Sequence, residues 1–197
     1  MGMSVGIFGG TFDPIHIAHL AVARCVLNEL NLDKVLFVPS GDPYMREIIP
    51  KASAMDRMTM TALAVRNEPR FEVSAVDIDR KGPSYSIDTV RDLRSRMGEG
   101  TRFFLIIGAD NLNQLPKWRN VDELLNEATL VSVGRPGESE PAEFSADHPG
   151  RRARYITGPM INVSGTILRE RIAARLPLHG EISREATEYI VRKGIYH

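Results

Sequence analysis

The sequence predicts an α/β fold in which a mostly parallel sheet carries helices on both faces. Short apolar, β-rich runs alternate with segments of helical periodicity along the chain, the succession expected of a parallel sheet with crossover helices. Those runs are too apolar to leave one side in water, so helices must cover both faces. A chain of 197 residues with 43% hydrophobic composition is long enough to close around one core, and a single domain over 1–197 is expected.

In chain order, the strand candidates are 5–8, 35–38, 71–76, 103–107, 130–133 and about 155–163. Helical periodicity runs over 16–30, 54–65, 87–97, 121–125 and 166–174, and 183–191 forms a last helix. Two stretches are predicted as long loops: 40–51, rich in Gly and Pro, and 135–150, where Pro, Gly, Glu and Asp crowd together. Both exceed what a structural turn needs, so at least one is expected to act as a lid or substrate loop. No internal repeat or low-complexity segment interrupts this order.

Lys plus Arg and Asp plus Glu both total 25. No net field is available to steer the protein towards nucleic acid or an anionic membrane, so any phosphate-binding charge must be local. No apolar run is long enough to cross a bilayer, and the first residues lack the basic and apolar regions of a secretory signal. The single cysteine, Cys25, cannot form an internal disulfide and reads as a small buried hydrophobe on a helix. A reducing, cytoplasmic setting is expected.

The most informative segment is Gly6-Ile-Phe-Gly-Gly-Thr-Phe-Asp-Pro-Ile-His-Ile-Ala-His-Leu20. Its order is strand, glycine turn, helix. Gly9 and Gly10 permit close backbone approach to a ligand, and a helix starting near His16 would aim unpaired N–H groups at an anion. Neither G-x-G-x-x-G nor G-x-x-x-x-G-K-[ST] is present, which disfavours a dinucleotide-binding dehydrogenase and a P-loop NTPase. His16 and His19, three apart, share one face of the first turn and can donate to one polyphosphate. A surface pair or a metal-binding pair of histidines would have the same spacing.

Gly9-Gly-Thr-Phe-Asp-Pro-Ile-His-Ile-Ala-His19 resembles the GGTFDPxHxGH signature of the nicotinate-nucleotide adenylyltransferases, members of the HxGH nucleotidyltransferase superfamily. The resemblance implies a Rossmann-like, doubly wound fold with ATP at the C-terminal edge of the sheet and its phosphates near both histidines. Gly9, Gly10, Thr11 and Phe12 would then meet ATP and Asp13 the acceptor. Ala18 stands where the family has glycine.

Val163-Ser-Gly-Thr-Ile-Leu-Arg169 resembles the family's ISSTxIR segment, with Gly165 replacing a hydroxyl residue. Ser164 suits an N-cap, and Arg169 offers a fork of donors, so with Thr166 this start forms a second anion site from about residue 160 onward. On its own, Arg169 would equally suit a solvated helix face. In the middle of the chain, Ser84-Tyr-Ser-Ile-Asp-Thr89 resembles SYTxDT, and Ile107-Gly-Ala-Asp110 with the later Trp118 resembles the IIGAD segment and its tryptophan. The resemblance places Trp118 on the pyridine ring and the backbone around Tyr85 and Ser86 near its carboxylate; a packing anchor is the other reading of Trp118. Gly108 and Asp110 fall at the end of an apolar strand, where Asp110 can meet a ribose or magnesium-bound phosphates. Asp88 reads as a helix-dipole partner.

The first long loop reads Asp42-Pro-Tyr-Met-Arg46 where relatives carry a Pro-Pro-His-Lys-like run. Arg46 would replace the lysine that meets a phosphate, Tyr44 could cover the acceptor, and Arg135 follows the fifth strand as in the family. The implied reaction joins the adenylyl group of ATP to nicotinate mononucleotide, with His16, His19 and Arg169 in the catalytic roles and Mg²⁺ held mainly by the phosphates; no protein metal ligand is assigned. Neither nucleic acid nor membrane is expected as a partner, and a homo-oligomer stays open. Three alternatives stand: another acceptor, such as nicotinamide mononucleotide or phosphopantetheine; a non-catalytic nucleotide-binding regulator; and RNA binding through the arginines of 150–175. The last lacks an aromatic stacking platform.

Overall fold

Six parallel strands form one sheet in the order β3-β2-β1-β4-β5-β6. The strands are β1 (Ser4–Gly10), β2 (Lys34–Pro39), β3 (Phe71–Val73), β4 (Arg102–Gly108), β5 (Thr129–Gly134) and β6 (Arg154–Thr157). The computed structural model describes residues 2–43, 49–134 and 144–197. Helices α1 (Ile17–Glu29), α2 (Ala54–Val65), α3 (Val76–Asp79), α4 (Ser86–Met97), α5 (Val121–Glu127), α6 (Gly165–Ala173) and α7 (Arg184–Lys193) surround the sheet. No described helix is long and apolar enough to cross a membrane.

Alternation along each strand builds two cores. Phe8, Phe37, Ile106 and Val131 face the layer formed by Leu20 of α1, Met60 of α2, Leu168 of α6 and Ile190 of α7. Ile7, Leu36, Leu105 and Leu130 face the opposite layer, where Val76 of α3, Val90 of α4 and Leu124 of α5 pack. Helices thus cover both faces, as the apolar strands require. The strand order reverses at β1, which pairs with β2 on one side and β4 on the other. In such sheets the crevice beyond the strand ends at the reversal is the natural ligand position.

Helix limits agree with the sequence pattern to within a few residues because their signals are local. Ser53 caps α2 by accepting the Asp56 N–H at 3.1 Å, and Ser183 caps α7 by accepting that of Ala186 at 3.3 Å. Two strands are shorter than expected. The run 71–76 leaves the sheet after Val73 and turns into α3, and 155–163 leaves it after Thr157, with Gly158 donating once more to the Gly134 carbonyl at 2.7 Å before Pro159, which has no N–H to give. A 3-10 helix, Ala109–Lys117, occupies what reads in sequence as a polar loop. Of the two long loops, 44–48 and 135–143 lie outside the described residues, while Pro149–Arg152 forms a short 3-10 turn.

Candidate active site

A cleft of about 650 Å³ opens at the C-terminal ends of β1 and β4. The β1–α1 turn forms its floor. A Cβ on Gly10 would lie 2.9 Å from the Phe12 ring, so glycine is required for Phe12 to tuck beneath the strand end, at a left-handed φ of 49°. At Gly9 a Cβ would meet no protein atom within 4 Å, because the neighbouring space is the cleft itself.

His16 is the N-cap of α1 and His19 lies in its first turn. Their rings stack at 3.7 Å between centroids with 23° between planes, and the His19 ring also meets Phe12 edge-on at 5.1 Å. The His16 backbone N–H donates to His19 Nδ1 at 3.2 Å. In neutral His19 the proton therefore sits on Nε2, which makes that atom the donor. His16 is only 8% exposed and its Nδ1 is buried without a partner. Burial pushes its pKa from 6.5 down to about 4, so the ring is neutral at physiological pH. The helix start is less open to an anion than the sequence suggests, because the Ile17 N–H already donates to the Glu181 carbonyl at 2.8 Å.

Two residues brace this turn. Arg57, 1% exposed, donates from Nη1 to the Thr11 carbonyl at 2.7 Å and from Nη2 to the Ser40 carbonyl at 2.6 Å, tying the end of β1 to the end of β2. Asp13, expected to touch the acceptor, has its carboxylate occupied elsewhere. Its Oδ2 accepts the Lys51 N–H at 2.8 Å, and its Oδ1 accepts the Ala52 N–H at 3.1 Å and the Tyr196 hydroxyl at 2.7 Å. These bonds make it a strut between three chain segments, although it still lines the cleft.

The second motif lines the same cleft and touches the first. Ser164 occupies the N-cap of α6, but its hydroxyl forms no capping bond with the first turn. Arg169 donates from Nη1 to the Asp13 carbonyl at 2.7 Å and from Nη2 to Thr166 Oγ1 at 3.1 Å, so part of its fork is spent on holding its own position. A Cβ on Gly165 would approach the Asp13 carbonyl oxygen at 3.4 Å, an ordinary contact, so the scaffold accommodates a residue with a side chain there.

Gly108, Asp110, Asn111, Trp118 and Ser86 line the other end. Asp110 accepts from Asn111 Nδ2 at 2.9 Å. Trp118 packs partly against the second core, and its Nε1 is buried without a partner. Tyr85 is expected to act through its backbone, and its ring lies away from the cleft under the Arg119 guanidinium, 4.8 Å from the ring centre. Asp88 is 3.7 Å from Arg119, a surface ion pair in the first turn of α4. Sequence reasoning missed Asp77, Thr89 and Ser40, which also line the cleft. Thr89 donates to Asp77 Oδ1 at 2.6 Å and Arg80 reaches the same oxygen at 2.6 Å; burial raises the Asp77 pKa against these bonds. Thr89 ends the SYxxDT-like run, so a signal for it existed; Asp77 has none.

Gly9, Gly10, Thr11, Phe12, Asp13, His16, His19, Ser86, Gly108, Asp110, Trp118, Ser164, Thr166 and Arg169 thus share one cleft. Tyr44, Arg46 and Arg135 lie outside the described residues, while Pro43 and Ile49 line the cleft. No trio of His, Cys, Asp or Glu among the described residues is grouped to hold a metal ion.

A parallel sheet with this reversal, a histidine pair on a glycine turn and an adjoining second helix start defines a nucleotidyltransferase class of site. The cytidylyltransferase-like family model matches residues 7–171. A Salinispora tropica protein named "Probable nicotinate-nucleotide adenylyltransferase" is 40% identical over 189 residues, covering 95% of this chain and 98% of the relative. A Dehalococcoides mccartyi protein of the same name is 36% identical over 201 residues, covering 100% and 98%. The chain belongs to the nicotinate-nucleotide adenylyltransferase family, within the cytidylyltransferase-like proteins. Its fold matches the Plasmodium falciparum nicotinic acid mononucleotide adenylyltransferase complexed with NaAD, with a TM-score of 0.74 at 15% identity over 98% of this chain and 97% of the other.

Proposed function

We propose that the chain transfers the adenylyl group of ATP to nicotinate mononucleotide, releasing pyrophosphate and forming nicotinate adenine dinucleotide, a step of NAD synthesis, with the whole chain acting as one domain. The observation that carries this reading is the meeting, in one cleft, of the stacked His16–His19 pair and the α6 start, whose Arg169 donates to the Asp13 carbonyl, with Trp118 lining the same cleft. A 5′-phosphate oxygen of the mononucleotide attacks the α-phosphorus in line. The new P–O bond forms as the bond to the α–β bridging oxygen breaks, and pyrophosphate leaves with that electron pair. No protein nucleophile or base is needed, since the attacking phosphate is already anionic near neutral pH; positioning and charge stabilisation supply the catalysis.

Backbone at Gly9, Gly10, Thr11 and Phe12 lets the nucleotide approach the sheet edge, and Gly108 with Asp110 meets its ribose. His19 donates from Nε2 to phosphate oxygen, and His16, neutral through burial, donates through its one ring N–H. Arg169 and the uncapped start at Ser164 and Thr166 hold the transferred phosphate, with Arg46 assigned to the acceptor's phosphate and Arg135 to the acceptor by resemblance. Ser86 and Trp118 receive the pyridine end, while Asp13 acts as a strut. Mg²⁺ would be carried in mainly on the nucleotide phosphates, beside Asp110, and would neutralise charge on the departing pyrophosphate; no protein ligand is assigned to it. The one half-buried thiol, Cys25, suits a reducing, cytoplasmic setting. Pyrophosphate release with nicotinate and nicotinamide mononucleotides in parallel tests the reading. Turnover with the acid form is expected, and release with neither acceptor would sink it.

A further inference from the structure

Four donors converge on Asp13. Three reach its carboxylate, from Lys51, Ala52 and Tyr196, and the fourth, from Arg169, reaches its carbonyl. Lys51 and Ala52 follow Ile49 and Pro50, which wall one side of the cleft, and Arg169 stands on the α6 wall. Asp13 itself sits on the floor turn. The relative position of three cleft walls therefore depends on one residue, and among the described residues the one side-chain hydroxyl bonded to it comes from 183 residues away.

Tyr196 is held for this contact at some cost. Its φ is 70°, in the left-handed region that favours glycine, a conformation costing roughly 1–2 kcal/mol for an ordinary side chain. Burial and the bond to Asp13 raise its pKa well above the usual phenol range, so the hydroxyl stays protonated and remains a donor. A second tyrosine provides an internal comparison. Tyr189 on α7 donates to Asp56 Oδ1 at 2.8 Å, also joining the C-terminal segment to the body of the fold, but Asp56 does not line the cleft.

We propose that Tyr196 is a positioning residue of the active site: its hydroxyl, by holding the Asp13 carboxylate, sets the Arg169 guanidinium and the 49–52 wall at the separation that the reacting phosphates require. The inference rests on the adenylyl transfer proposed above, and it differs from a general stabilising role in what it predicts. Tyr196→Phe removes one hydroxyl and leaves the ring. Losing a hydrogen bond to a charged group should lower kcat by about tenfold or more, with the KM for each substrate little changed, because the misplaced groups act on the developing charge. Tyr189→Phe removes an equivalent bond and should lower the melting temperature by a similar amount with kcat unchanged. Asp13→Asn should reproduce the Tyr196→Phe defect, and the two together should cost no more than the larger alone.

A measurement without substrates separates failure of this inference from failure of the activity reading. In the ligand-free protein, the Lys51 and Ala52 amides should exchange hydrogen faster in Tyr196→Phe than in wild type and at the wild-type rate in Tyr189→Phe. Should Tyr196→Phe not fold, Asp13→Asn carries the same exchange and turnover tests. Unchanged exchange at Lys51 and Ala52, or equal kcat losses in both tyrosine variants, overturns the proposal; absence of turnover in wild type overturns the activity reading alone.

Discussion

The depressed pKa of His16 makes a stability prediction whose sign and window follow from burial. The unfolded chain binds a proton at this ring near pH 6.5 and the folded one near pH 4, because desolvation disfavours the imidazolium. Between those values the unfolded state binds more protons, so the contribution of His16 to stability is complete above pH 6.5 and is lost as the pH falls through 4. At about 1.4 kcal/mol per pKa unit, the full loss is about 3 kcal/mol, most of it gone by about pH 4.5. Other groups titrate in the same experiment: Asp33, Asp56 and Glu181 have lowered pKa values and also weaken the fold in acid, whereas buried Asp77, with a raised pKa, acts in the opposite sense. His16→Gln cancels them by difference, since it keeps a polar side chain and removes only the imidazole titration. Urea denaturation of the ligand-free protein from about pH 7.5 to 4.5 should show wild type losing about 2–3 kcal/mol more than the variant. Parallel curves for the two proteins would mean that the ring takes up its proton in the folded state and that burial does not hold it neutral.

Three other substitutions test separate parts of the site. His19→Ala should reduce kcat by about two to three orders of magnitude with the fold intact by circular dichroism, the loss seen when a preorganised donor to developing charge is removed. Trp118→Ala should raise the KM for the mononucleotide at a cost of about 1–3 kcal/mol while the KM for ATP stays within about twofold, which steady-state kinetics with each substrate varied will show. Arg57→Met should destabilise the protein by about 3 kcal/mol or more, because it strands the Thr11 and Ser40 carbonyls, a loss readable as a shift in the urea midpoint.

What was legible in the sequence is what is encoded locally. The segment from Gly9 to His19 is contiguous, so its turn, its helix start and its histidine spacing could all be read from adjacent residues. The α6 start was legible for the same reason. The braces were not, because they join distant residues: Arg57 meets Thr11 across 46 positions and Tyr196 meets Asp13 across 183. A buried arginine that donates to carbonyls also carries no sequence mark that distinguishes it from a solvated one. The direction of the Tyr85 side chain was not legible either. Ser86 and Thr89, three apart on α4, share the face turned to the cleft, and the N-cap position before them turns its side chain towards Arg119.

Asp13 shows why a motif cannot by itself divide ligand contacts from scaffold. It lies between Phe12 and His16 in the signature, yet its oxygens are consumed by the protein, whereas His16 keeps a buried ring nitrogen without a partner. Among the described residues five buried side-chain polar atoms lack a partner, and three of them, on His16, Ser40 and Trp118, belong to residues lining the cleft. Folded proteins rarely leave such atoms unpaired, since each costs about 1–3 kcal/mol. Their concentration beside the cleft shows that polar satisfaction gives way there to shape: the Trp118 N–H and the Ser40 hydroxyl are shut in by the side chains around them and have no partner among the described residues.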